Sequence, residues 1–229
     1  LYNRRHLDEH REKIDIPENL PLSVIFADIN GLKLTNDIFG HTAGDELIKK
    51  SAGILLQSCR ENDTVARVGG DEFILLLPKS DQADAEKVLS RIRSGFADAR
   101  VEAVKCSISL GSDTKTETHQ SLEVAIANAE NAMYKDKTLN RKETNKDLID
   151  TLIETLHAKN PGERRHSIAV SELCGAVGSA LRLPETEICK LKRAGYLHDI
   201  GKIILDRDIL AKDTLTEEEF AAVKQHSVV

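Results

Sequence analysis

Three carboxylates and a pair of glycines are the residues of this chain best suited to shared chemistry. The segment RVGGDEF runs from Arg67 to Phe73, with Asp71 and Glu72 directly after Gly69 and Gly70. Two glycines at a hairpin tip permit φ > 0 and leave the main chain bare for a large charged ligand. Taken alone, Gly-Gly-Asp is an ordinary hairpin turn. Asp28 changes that reading, because it closes the apolar run PLSVIFADI and so ends a neighbouring strand. Strand-end carboxylates beside a bare hairpin supply the few hard oxygen ligands that Mg²⁺ with nucleotide phosphates requires. A second constellation lies far along the chain: His166, the doublet His198-Asp199 with Lys202 in HDIGK, and His226. Histidines scattered over helices commonly serve a surface or a core. A His-Asp doublet is sharper, since the His can ligate one metal while the Asp bridges two, as phosphoester hydrolysis uses them.

These groups need a sheet end and a helical cage to hold them. Residues 2–13 read as a charged helix, broken by Ile16-Pro17 and Leu20-Pro21. A buried strand is expected over Leu22–Asp28, then a short helical piece closed by Gly40, then a helix from Thr42. VARV and EFILLL form a hairpin about Gly69-Gly70-Asp71. An amphipathic helix over 81–98, a strand over VEAVKCSISLGS and a helix over 121–137 follow. Strands alternating with helices give an α/β (α+β) domain, helices packed on a sheet. After Arg141 the segment KETNKDLIDTLIETLHAKN reads as a charged helix with Leu148, Ile149, Leu152, Ile153 and Leu156 on one face, and from there on no convincing strand follows, ILDRDIL being at most a short extended piece. Helices are expected at 163–182, 185–199 and 216–226, the last opened by Thr216 and acids at the positive end of its dipole. The second region is therefore all-α, and the expected domains are 1–143 and 144–229.

Composition narrows the function. The 229 residues carry a net charge of −6, divided −4 and −2 about residue 143, so neither part is a nucleic-acid binder held by phosphate neutralisation. Eight aromatic side chains are few for a base-stacking platform, and 40% hydrophobic residues are enough for a core. Cys59, Cys106, Cys174 and Cys189 have no framework spacing and read as reduced thiols in the cytoplasm. No run reaches the length of a membrane span. The opening at LYNRR and the end at HSVV read as a piece of something longer, whose parent can carry a membrane or sensor segment outside this stretch.

With those residues in hand, the first part resembles the GGDEF family of diguanylate cyclases. FADINGLKLTNDIFGHTAGDELI is similar to the family's metal-and-base segment, LYNRR to its opening helix, CSISLG to its late strand and NAMYKDKTLNR to its terminal helix. The resemblance implies a nucleotidyl-cyclase-like fold with a central, mainly antiparallel sheet flanked by helices. It implies two Mg²⁺ or Mn²⁺ ions held by Asp28, Asp71, Glu72 and the main chain of Ile29. Catalysis then rests on Asp28, Asp71 and Glu72, with GTP gripped by Lys33, Asn36, His41, Asp45, Gly69, Gly70, Lys137 and Arg141. Asn and a carboxylate suit the guanine edges, although helix capping is the alternative use of Asn36 and Asp45. Two departures stand in the terminal helix: Asn140-Arg141-Lys142 where the family has Gly-Arg-Asn, and Asp136 where Ala is common. Arg60 and Asp63 match the family's Arg-x-x-Asp inhibitory site, the alternative being a local surface ion pair. The implied reaction joins two GTP into cyclic di-GMP across a homodimer, with feedback by product and no nucleic acid or membrane as partner.

The second part resembles the HD-type phosphohydrolases, in particular the HD-GYP class that cleaves cyclic di-GMP. His166, His198, Asp199 and His226 fall on metal positions of that class, for which iron, manganese or another divalent metal is implied. The stretch stops before the later ligands of the class, and Ala169 stands where Arg is frequent. This part is therefore expected to be a truncated HD domain, inactive as a phosphodiesterase. The competing reading of the whole is a binding module, in which GTP or cyclic di-GMP held without turnover regulates an HD-type phosphodiesterase.

Overall fold

The structure, a computed structural model, describes residues 1–101, 104–205, 209, 212 and 214–224, with the side chains of 141–145, 147, 148, 159, 204 and 222 outside the description. The chain divides into two compact units, Leu1–Leu148 and Ile149–Val229. In the first, β1 (Tyr2–Asn3) leads into α1 (Arg4–Ile14), β2 (Leu22–Ile29) and α2 (Leu32–Ser58). Next come β3 (Thr64–Arg67), β4 (Glu72–Leu77), α3 (Gln82–Ala97), β5 (Arg100–Val101), β6 (Val104–Lys105), β7 (Ile108–Lys115) and α4 (Leu122–Lys159), whose residues from Ile149 belong to the second unit. The second unit continues with α5 (Pro161–Ala180), α6 (Glu185–Leu197), a 3-10 turn Ile200–Ile204 and α7 (Glu217–Lys224).

The five-stranded sheet has the order β1-β3-β4-β2-β7 and is mixed, because β1 pairs parallel to β3 while the other pairs are antiparallel. LSVIFADI and EFILLL are apolar at nearly every position, as central strands covered on both faces must be. Ile25, Ala27, Phe73 and Leu75 pack with α2 and α3, through Leu47, Leu55, Leu89 and Ile92. Val24, Phe26, Ile74 and Leu76 face the other way, toward Leu7 of α1 and Leu122, Ala129 and Met133 of α4. Helices thus cover both faces of the sheet, in agreement with the expected fold class.

Four local expectations are corrected. Residues 2–13 are not one helix: Tyr2 and Asn3 pair with Ala66 and Arg67, and Asn3 then caps α1 by accepting from the His6 amide at 2.8 Å. The stretch read as one strand over 101–112 is a small hairpin, in which Val101 faces Val104, followed by β7. The alternation here is only partial, being interrupted at Ala103-Val104, and by itself does not separate a fold-back from a single strand. The helix expected over 121–137 continues to Lys159, since TLNRK offers neither glycine nor proline to stop it. Its inward positions are Leu122, Ala125, Ala129 and Met133, while Val124 is exposed. ILDRDIL starts at Ile204, which closes the 3-10 turn rather than an extended piece, and 206–208 and 210 lie outside the described residues.

One position sets how closely α4 lies on the sheet. A Cβ added at Gly111 of β7 would stand 2.1 Å from the Met133 nitrogen and 2.3 Å from the Ala129 oxygen, both main-chain atoms that cannot swing aside. Gly111→Ala is therefore expected to remove about 3 kcal/mol from the first unit by forcing the helix off β7. Thermal melting followed by circular dichroism measures it, and an unchanged melting temperature would contradict the close packing.

Candidate active site

The site is built at one end of the sheet by the strand ladder. Asp28 lies opposite Glu72 of β4 on one side and Ser109 of β7 on the other. Beyond the last pair, the Ile29 amide donates to the Asp71 carbonyl at 2.9 Å, tying the strand end to the turn that carries the signature. The turn closes through Val68 N–H to the Glu72 carbonyl at 2.9 Å, and the Arg67 guanidinium donates to the Gly70 carbonyl at 2.7 Å. Gly69 and Gly70 do not take positive φ, contrary to the expected use of glycine in this turn. The pair serves space instead. A Cβ at Gly69 would lie 2.4 Å from Glu72 Oε2, while nothing stands within 4 Å of one at Gly70.

Burial is the dominant electrostatic fact, with like charge adding to it. Burial raises the Asp28 carboxyl above the ordinary carboxylate value, Lys137 opposing this and Asp71 adding to it. Glu72 is raised too, by burial first and then by the charges of Asp71, Asp28 and Glu130, against Arg4. Lys137 Nζ stands 2.7 Å from Asp28 Oδ1, and the Asp28 side chain is only 7% exposed. Asp28, Asp71 and Glu72 share this sheet end without their oxygens forming a cluster within 4.8 Å; carboxylate oxygen is nonetheless the ligand type that a hard divalent cation takes. Asp28, Asp71, Glu72 and the Ile29 carbonyl would hold it.

Four of the residues that the resemblance implies for nucleotide binding, Lys33, Asn36, His41 and Asp45, lie on α2, which is broken at Gly40 (φ 81°, ψ 166°). Asn36 precedes the break and packs on Gly44, where an added Cβ would meet its Oδ1 at 1.9 Å. That contact brings Asn36 beside the residue preceding Asp45. Neither side chain makes a hydrogen bond to the described residues, so neither is spent on helix capping. Lys33 and His41 are exposed on the same segment, and Arg141 lies in α4 with its side chain outside the description. Arg60 and Asp63 do not form the surface ion pair considered as their alternative. Asp63 Oδ2 accepts from the Arg60 amide at 2.7 Å, which leaves the guanidinium exposed. Beside them burial, then the charge of Asp63, pushes the Cys59 thiol up to about 12, so that thiol stays protonated and inert. Sequence reading missed Glu130, which stands seven positions before Lys137 on the same helix and so shares its face.

In the second unit His166, His198 and Asp199 place ligand atoms within 4.8 Å of one another. His198 Nε2 is 3.0 Å from Asp199 Oδ2 and 3.2 Å from His166 Nε2. The His198 Nδ1–H donates to the Gly195 carbonyl at 2.9 Å, which leaves Nε2 to ligate. Lys202 reaches Asp199 at 2.8 Å and Glu163 at 3.0 Å. Burial alone would lower the Lys202 pKa, but those two carboxylates outweigh it and raise it. His226 lies outside the described residues.

Comparison with known proteins finds a family for each part of the chain. Residues 1–143 match the family "Diguanylate cyclase, GGDEF domain", and residues 150–229 match an HD domain. The chain belongs to the GGDEF diguanylate cyclase family, its GGDEF domain being followed by an HD domain. It is 36% identical over 148 residues to the bifunctional diguanylate cyclase/cyclic di-GMP phosphodiesterase MucR of Pseudomonas aeruginosa, covering 62% of this chain and 22% of MucR. It is 33% identical over 119 residues to the diguanylate cyclase DosC of Escherichia coli, covering 50% of this chain and 26% of DosC. The chain thus spans about a quarter of the length of these relatives. The GGDEF domain of YfiN (TpbB) from Pseudomonas aeruginosa superposes with a TM-score of 0.55 at 32% identity, over 61% of this chain and 86% of that one. No helix among the described residues is long and apolar enough to cross a membrane.

Raised carboxyls have a definite sign in stability. A group protonated more readily in the folded state contributes fully below its unfolded pKa and loses that contribution as pH rises through the folded one. Without divalent cation, the first unit should therefore weaken as pH climbs upward from the ordinary carboxylate range, through Asp28 and Glu72. Glu72→Gln should raise its melting temperature at neutral pH by about 2 °C and flatten that decline. A lower melting temperature in the variant would contradict the repulsion.

Proposed function

We propose that residues 1–143 are the catalytic half-site of a diguanylate cyclase and that residues 144–229 are an appended HD region. The observation that carries this is the convergence of Asp28, Asp71 and Glu72 at one sheet end, with Asn36 and Asp45 uncommitted nearby. Each GTP contributes its 3′-hydroxyl oxygen to the α-phosphorus of the other. The bond to pyrophosphate breaks, the hydroxyl proton leaves, and two such events close cyclic di-GMP. In this reading Asp45 accepts from the donor edge of guanine and Asn36 completes the contact. Lys33, Lys137 and Arg141 neutralise the triphosphate, and the bare main chain of Gly69 and Gly70 lets it approach. Two Mg²⁺ or Mn²⁺ ions, when bound, would stabilise charge on the transferring phosphoryl group and acidify the attacking hydroxyl.

One domain holds one GTP, so the reaction needs two domains facing each other about a two-fold axis. Arg60, with its guanidinium exposed, and Asp63 suit the acceptor and donor edges of guanine in the product, which gives feedback inhibition. Bacterial cytoplasm is the compartment where GTP and this product meet. Incubation of the chain with GTP and Mg²⁺ at several protein concentrations should give cyclic di-GMP with a steeper than linear dependence on protein. Asp71→Ala with Glu72→Ala should abolish it, a loss of at least about 10³-fold. Arg60→Ala should remove the plateau caused by product. Binding of GTP without any turnover would replace this reading by the regulatory module.

The His166, His198 and Asp199 cluster supports a second, separate property, divalent metal binding by the HD region. Purified chain should carry a substoichiometric transition metal, and His198→Ala with Asp199→Ala should remove it in elemental analysis. Equal metal content in both proteins would exclude the cluster as the site.

A further inference from the structure

Asp136 stands one residue before Lys137 on α4 and uses both of its carboxylate oxygens. Oδ2 accepts from the Leu110 amide at 3.0 Å. Oδ1 accepts from Asn140 Nδ2 at 2.9 Å and lies 3.9 Å from Arg93 of α3. Leu110 belongs to β7, the free edge of the sheet, and the residue before it, Ser109, is the one opposite Asp28. A charged acceptor therefore fastens α4 to the edge strand one residue away from the point where Lys137 must reach across to Asp28. Gly111 fixes how near the helix lies to β7, but a glycine seat does not fix rotation about the helix axis. The bond to Leu110 does, and it is charge-assisted, hence stronger than an ordinary one.

We propose that Asp136 is a positioning residue for nucleotide binding: by locking the rotation of α4 against β7 it holds the Lys137 ammonium where the phosphates of GTP bind. The proposal rests on the cyclase reading above. Two simpler roles make different predictions. A carboxylate that only covered a sheet edge would affect stability and nothing else. A carboxylate acting only through its charge would repel a triphosphate, so its removal would tighten binding.

The test compares the full chain with its D136A, D136N, K137A and D136A/K137A variants. It measures calorimetric binding of α,β-methylene GTP with Mg²⁺ present, KM and kcat for GTP, and the melting temperature. D136A should raise Kd and KM about tenfold with kcat within about twofold. D136N keeps an oxygen acceptor without its charge and should lose only about threefold. On the K137A background either substitution should change Kd by less than about twofold, because Asp136 acts through Lys137. Should D136A fail to fold, D136N with and without K137A makes the same comparison. An unchanged or tighter Kd in D136A overturns the proposal, as does an additive double variant or a fall in melting temperature alone. Wild-type chain that binds no α,β-methylene GTP overturns the cyclase reading itself and this proposal with it.

Discussion

The first unit is organised around carboxylates that its own backbone brings to one partly buried sheet end. Asp28 and Glu72 are cross-strand partners, and the Ile29 amide pulls Asp71 to the same end of the ladder. Like charges directly opposite one another on a sheet are destabilising. Such an arrangement survives only because the ladder behind it is a continuous buried block, Leu22–Ile29 against Glu72–Leu77, with helices on both faces. The stability of that block offsets the cost of carboxylates partly buried at its end. The surrounding devices answer to the same constraint. Gly69 clears room for Glu72, Arg67 props the turn, and Lys137 brings a positive charge to Asp28.

Much of this was legible in the sequence because the informative segments are short and chemically extreme. PLSVIFADI and EFILLL admit few structures other than buried strands, and a carboxylate at the end of one must sit at a sheet edge or end. What escaped was set by contacts distant in the chain. The strand at Tyr2–Asn3 is only two residues long and exists through its pairing with Ala66 and Arg67. No periodicity can announce it. The hairpin at Val101–Val104 lies in a stretch of partial alternation that continues into β7. The glycine pair was read for backbone freedom, but the structure uses the missing side chain at Gly69 instead. The substitution at Asp136 was visible as a departure, yet its partner, an amide on an edge strand, could be found only in three dimensions.

The two units repeat one electrostatic arrangement with different ligand chemistry. In each, a nearly buried aspartate belongs to a candidate metal site and is neutralised by a lysine: Asp28 with Lys137 at 2.7 Å, Asp199 with Lys202 at 2.8 Å. An isolated buried carboxylate is costly, so the lysine gives the fold a stable metal-free form. The first site offers oxygen alone and suits a hard cation; the second adds two imidazoles and suits a transition metal. Nothing in one site substitutes for the other.

The lysines differ in how tightly they are held, and that difference bears on chemistry. Lys202 is bound by Asp199 and Glu163 together, its side chain 17% exposed, and both carboxylates strengthen its charge. Lys137 holds Asp28 and remains 42% exposed. An ammonium with one carboxylate partner and open solvent beside it can exchange that carboxylate for another anion at the cost of a single ion pair. An ammonium clasped by two buried carboxylates must give up both bonds to move. The geometry therefore gives Lys137 room to change partners during a reaction, while Lys202 is built to stay, fixing the orientation of Asp199 beside the histidines. Under the proposed cyclase reading Lys137 would reach two partners in turn, and a group with that task depends on where its backbone is anchored, as Lys202 does not.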